Sequence, residues 1–118
     1  MTKERWTTSN KAVYNLGYQI IWCPKYRRKV LVDRVEIRLK ELLHEKAAEI
    51  NVTIENLEVM PDHIHLFVKS TPVNAPHYIV QQLEGYTSRV LQKEFPFLNS
   101  RLPTLWTRSY YEAIGHIL

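Results

Sequence analysis

Two histidines one residue apart, His63 and His65, follow Asp62 and carry the sharpest chemical signal in the chain. On a β-strand, residues i and i+2 share a face. The strand rise puts the two imidazoles about 6.5–7 Å apart along the backbone, near enough to share one metal ion if the rings converge. Imidazole is a common ligand of zinc, copper, iron and nickel. Two donors do not close a site, so a third group is needed. Glu58, Glu112 and His116 are possible donors from neighbouring elements, and the sequence does not choose among them. Asp62 is adjacent but points to the other face once the strand has begun. Two solvated histidines on a polar sheet face would give the same pattern, so the motif alone does not decide.

A second constellation is basic. Lys25, Arg27, Arg28 and Lys29 surround Tyr26 within five positions. The overall charge of +4 is modest, and its clustering is what matters: like charges close together raise the local potential and suit a polyanion. Tyr26 or Trp106 offers a ring on which an unpaired base can stack. A solvated basic turn and a packed tryptophan are the plain alternatives.

These residues need elements to hold them. Residues 13–23, rich in β-branched and aromatic side chains, read as a first strand stopped by Pro24. The basic stretch is the loop that follows. Asp33 with Glu36 forms a capping box, opening a helix with the stripe Val35, Leu39, Leu42, Leu43, Ala47 and Ile50, ending near Asn51. Residues 52–59 read as a second strand whose apolar phase slips between Ile54 and Leu57, as a bulge would cause. Met60-Pro61-Asp62 makes a tight turn and His63 to Lys69 a third strand, with Ile64, Leu66 and Val68 facing the core. Pro76 suits the first turn of a second helix, striped by Ile79, Val80, Leu83, Tyr86, Val90 and Leu91 and ended by Pro96. Leu105 to Ile114 reads as a fourth strand. The order β-α-β-β-α-β predicts an α+β, ferredoxin-like split βαβ fold, an antiparallel sheet with both helices on one face and the other face open.

Composition narrows the classes. A length of 118 residues fits one domain, 1–118, with residues 1–11 as a loose polar arm. No apolar run spans a bilayer, and no apolar signal core follows Met1. The single Cys23 allows no internal disulfide, which points to the reducing cytoplasm. Three glycines leave no phosphate-cradling glycine loop.

Four segments then resemble one family, in order and with its spacing. They are residues 20–30 (IIWCPKYRRKV), 60–66 (MPDHIHL), 83–89 (LEGYTSR) and 103–110 (PTLWTRSY). Over about residues 12 to 116 the chain resembles the single-tyrosine HUH transposases of small bacterial and archaeal insertion sequences. The resemblance implies a domain that dimerises by joining sheets, and a divalent ion, Mg(II) or Mn(II), on His63 and His65. It implies single-stranded DNA with hairpins as partner, cut by a tyrosine that keeps a 5′-phosphotyrosine and frees a 3′-OH. Lys25, Tyr26, Arg27, Arg28 and Lys29 agree with DNA contact. Arg89, off the apolar stripe of the second helix, can face DNA, and Gly85 on a similar flank would let a backbone come close.

The chain also departs from that family. The family's nucleophile and third ligand lie in a Tyr-x-x-x-Gln on a helix after the last strand, and no such motif follows Ser109. The catalytic tyrosine is therefore unassigned. The expectation is that the catalytic helix is absent, by truncation, proteolysis or decay of the element. A non-catalytic hairpin-binding remnant is the alternative. A two-histidine phosphoesterase or histidine-triad hydrolase is disfavoured, because Phe67 occupies the triad's third place and His44, His77 and His116 are isolated.

Overall fold

The computed structural model describes residues 16–70, 74–99, 104–108 and 110–116, with the backbone alone for Leu16 and residues 111–116. The expected N-terminal arm lies outside these residues. Four strands, β1 (Leu16–Trp22), β2 (Thr53–Met60), β3 (His63–Lys69) and β4 (Tyr111–His116), form one sheet in the order β2-β3-β1-β4. Every neighbouring pair is antiparallel. Helices α1 (Asp33–Glu49) and α2 (Pro76–Glu94) complete the ferredoxin-like split βαβ arrangement expected from the element order.

Alternation decides which face each strand residue meets. Ile20 and Trp22 of β1 and Ile64, Leu66 and Val68 of β3 are buried with Leu39, Leu42 and Leu43 of α1 and Ile79, Leu83 and Leu91 of α2. Leu66 is wholly enclosed, and truncating such a side chain to Ala costs about 2–5 kcal/mol. The intervening residues His63, His65 and Phe67 are half-buried on the side away from this core. A register shift between Ile54 and Asn56 absorbs the phase slip in β2. Beyond it, Glu58 pairs with His65 and Met60 with His63.

The helix ends show where local chemistry holds. The capping box at the start of α1 does not form: Val32 is the cap, with no side-chain bond. Asp33 has φ 53°, and the amides of Val35 and Glu36 reach the Val32 carbonyl at 3.0 and 3.3 Å. The chain enters the helix one residue early, so Asp33 contributes its charge to the first turn rather than a cap. The other end closes well. Asn51 takes φ 59°, and the amides of Val52 and Asn51 bond Ala47 and Ala48 at 2.8 and 3.2 Å, a Schellman arrangement. Pro76 opens α2 as expected, and Phe95 caps its far end before Pro96. Arg38 ties the helices together through Glu94 at 2.8 and 3.1 Å.

The last strand is a correction. It begins at Tyr111 rather than Leu105. Residues 105–107 make only a brief bridge to the chain after β1: the Lys25 amide donates to the Leu105 carbonyl at 2.8 Å and the Thr107 amide to the Cys23 carbonyl at 3.0 Å. Leu105 and Trp106 are buried there, which explains their strand-like apolar character. Trp106 meets Trp22 edge to face at 5.9 Å. Its indole N–H donates to Thr87 Oγ1 at 3.0 Å.

Candidate functional site

The open sheet face holds both histidines, each beside a carboxylate. Asp62 Oδ1 lies 2.9 Å from His63 Nδ1, and Glu58 Oε1 lies 3.5 Å from His65 Nδ1. Asp62 thus serves His63 from the turn, although alternation had assigned it to the opposite face. A carboxylate only accepts, so Asp62 draws the His63 ring proton to Nδ1 and leaves its Nε2 with a lone pair. Metal-binding histidines carry such outer partners. His65 Nε2 is 3.3 Å from the Gln19 amide oxygen, brought in from β1. Gln19 was not singled out from the sequence. The cross-strand register puts it opposite Phe67, one diagonal step from His65, and register is not visible in a single strand.

Of the other candidate donors, Glu112 pairs in register with Ile20 and His116 with Leu16. Among the described residues, no three His, Cys, Asp or Glu side chains form a metal-holding group. What the face offers is His63 with Nδ1 engaged by Asp62, and His65 with Nε2 donating to the amide oxygen of Gln19. Imidazole nitrogen suits zinc, copper, iron and nickel, whereas the amide oxygen suits Mg(II) or Mn(II).

The basic turn is tied to this face. Arg27 reaches Asp62 Oδ2 at 3.0 Å, so one carboxylate joins the turn to His63. The His63 bond is the main reason the Asp62 carboxyl is held below its usual range, and the Arg27 charge adds to it. Tyr26 and Arg27 are both left-handed, with φ 63° and 52°. Side chains avoid that region, and such strain gathers at functional sites. It turns the Tyr26 ring outward, 75% exposed, with the Lys25 ammonium 5.7 Å from its centre. Arg28 and Lys29 are exposed as well. Next to the turn, a cleft of about 490 Å³ is lined by Ile21, Cys23, Tyr26, Arg27, Thr107 and Tyr110.

Arg89 does not join this group. It lies exposed on α2, on the helical side, with its guanidinium 5.6 Å from the Tyr86 ring. Tyr86 donates to Glu45 at 2.9 Å, and that bond raises its pKa. A Cβ on Gly85 would meet nothing within 4 Å, so no contact inside the described chain demands glycine there.

The model of the family described as "Transposase IS200 like" matches residues 12–115, most of the chain. The chain belongs to the IS200-like transposase family. This IS200-like transposase is 41% identical over 100 residues to the ISDra2 transposase TnpA of Deinococcus radiodurans, covering 83% of this chain and 71% of that protein. It is 28% identical over 105 residues to the transposase for insertion sequence element IS200 of Salmonella typhimurium, covering 86% and 69%. A crystal structure from Deinococcus radiodurans R1, assigned as a transposase, matches with a TM-score of 0.80 at 38% identity, over 86% of this chain and 79% of that one. A REP-associated tyrosine transposase bound to a REP hairpin shares the fold, with a TM-score of 0.68 at 11% identity over 91% and 60% of the two chains.

Proposed function

We propose that this IS200-like transposase binds hairpin-bearing single-stranded DNA and that its histidine face holds the divalent ion for strand cleavage and joining. The observation that carries this reading is the Arg27–Asp62–His63 chain, which couples a phosphate-seeking turn to a metal-seeking imidazole. Lys25, Arg27, Arg28 and Lys29 neutralise backbone phosphates, and Tyr26 stacks on an unpaired base. Arg89 contacts DNA from the helical side, as a separate patch.

His63 and His65 would hold Mg(II) or Mn(II), with the Gln19 amide oxygen as the neighbouring donor. When bound, the ion polarises and orients the scissile phosphate as a Lewis acid. Asp62 holds the His63 ring proton on Nδ1, and Glu58 would do the same for His65 once the ion takes Nε2. A tyrosine oxygen bonds to the 5′ phosphorus as the bond to the 3′ oxygen breaks, and that oxygen leaves with a proton as a 3′-OH. The phosphotyrosine keeps the bond energy, so rejoining needs no nucleotide cofactor. The nucleophile is unassigned: Tyr18 is in the core, Tyr26 and Tyr78 are exposed, and Tyr110 lines the cleft beside the turn. β2 and β4 are the two sheet edges, and a homodimer forms by joining sheets. No described helix is long and apolar enough to cross a membrane, and we assign the reaction to the cytoplasm, where DNA is at hand.

Binding of a single-stranded hairpin oligonucleotide, measured against duplex DNA with and without His63→Ala plus His65→Ala, tests this. Preference for the hairpin should survive the substitutions, while Mn(II) binding, followed by electron paramagnetic resonance, should be lost. Equal affinity for duplex and hairpin, or unchanged Mn(II) binding, would refute it.

A further inference from the structure

A second cleft lies across the 105–107 bridge from the first, between α2 and the segment leading to β4. It measures about 350 Å³ and is lined by Lys25, Glu84, Thr104, Trp106, Thr107 and Arg108. That volume is at the low end of small-ligand sites, which run from roughly 300 Å³ upward. Glu84 is the anomaly: its Oε2 is buried with no hydrogen-bond partner. Buried polar atoms are almost always satisfied, and an orphan calls for a missing partner. Lys25 and Arg108 share the cleft, yet no described cation forms an ion pair with Glu84.

Three properties select the occupant. Trp106 gives an aromatic wall, held by its bond to Thr87. Lys25 belongs to the basic turn, and with Arg108 it gives the rim two cations suited to phosphates. Burial pushes the Glu84 carboxyl up to about 8, so near neutrality it is largely the neutral acid. A neutral acid presents one donor and one acceptor side by side, and it does not repel a polyanion.

We infer that this cleft is a pocket for an unpaired nucleobase of single-stranded DNA, whose edge hydrogen-bonds the Glu84 carboxyl while Lys25 and Arg108 hold the adjoining phosphates. The inference rests on the single-stranded DNA reading above. Thymine fits the pattern, its N3–H donating to the carboxyl oxygen and its O4 accepting from the carboxyl hydroxyl. Adenine and cytosine also offer one donor beside one acceptor. Guanine offers the same pairing through O6 and N1–H.

The test is fluorescence anisotropy of the full chain with dT12 and with the same oligonucleotide methylated at every thymine N3. Methylation removes the edge donor and leaves backbone charge unchanged. For the wild type it should weaken binding about tenfold, the order of a lost edge contact. For Glu84→Ala the two oligonucleotides should bind alike. Glu84→Gln, whose amide also pairs a donor with an acceptor, should restore the discrimination. Circular dichroism melts establish that each variant is folded. Wild type that binds both oligonucleotides equally overturns the pocket and leaves the DNA reading standing. The same methylation penalty in Glu84→Ala overturns it too. Failure to bind dT12 at all overturns the DNA reading along with the pocket.

Discussion

Arg27 and Asp62 stand 3.0 Å apart, one on the turn after β1 and the other at the head of β3. Their side chains are 66% and 25% exposed, so the pair itself adds little stability, about 0–1 kcal/mol. Its value is in orientation, because the other Asp62 oxygen engages His63. Asp62→Asn should lower Mn(II) affinity by about 10–100-fold, the range for an outer partner of a ligating histidine. The melting temperature should barely move. Calorimetric titration with Mn(II) reads the first effect and thermal denaturation the second. An unchanged affinity would remove Asp62 from the site.

Arg27 and Arg28 should both count toward phosphate contact. Replacing both with Ala should weaken binding to a single-stranded oligonucleotide and flatten the salt dependence. The slope of log affinity against log salt should fall by about 1.4, at roughly 0.7 per single-strand phosphate contact. Binding isotherms at several salt concentrations supply the slope. A slope that stays put would mean the turn is merely solvated.

Gln19 is the neighbouring donor to watch. Two adjacent ligands of an octahedral ion with bonds near 2.0–2.1 Å sit about 3 Å apart, and Gln19 Oε1 is 3.3 Å from His65 Nε2. Gln19→Ala should weaken Mn(II) binding at least several-fold, and Gln19→Glu, a charged oxygen donor, should tighten it. Competition against a fluorescent Mn(II) indicator measures both. If both variants bind as the wild type does, Gln19 is only a hydrogen-bond neighbour.

Glu84 makes stability depend on pH. Its carboxyl is raised from 4.5 to about 8 by burial. The folded state therefore holds a proton that the unfolded chain releases across that interval. Stability from this group is intact below the unfolded value of 4.5 and declines as pH rises through about 8. Glu84→Gln should leave the melting temperature unchanged at pH 4 and raise stability at pH 9. The gain should be about 1–2 kcal/mol after allowing for solvent screening. Melts at both values decide it, and an equal shift at each would point to packing instead.

Much of this architecture is written in periodicity. The alternation of Ile64, Leu66 and Val68 puts both histidines on the open face, and the apolar slip in β2 appears as a register shift. Relations set by pairing were hidden. Gln19 and Glu58 reach His65 from two different strands, and Arg27 reaches Asp62 across 35 residues. The capping box failed because φ at Asp33 depends on how the preceding turn delivers the chain, which spacing cannot report. Leu105 and Trp106 looked like strand because they are apolar and buried, although they bridge only briefly to the turn.

The two left-handed residues in the turn have a consequence for transplanting it. A free peptide bearing residues 24–30 would relax Tyr26 and Arg27 toward ordinary backbone angles, since nothing outside the fold holds them. Inside the protein, the Arg27 amide is fastened to the Pro24 carbonyl and its guanidinium to Asp62. Grafting the residues onto another loop would carry over their charges and lose their aim. The unit of recognition is the turn together with the two strands that brace it.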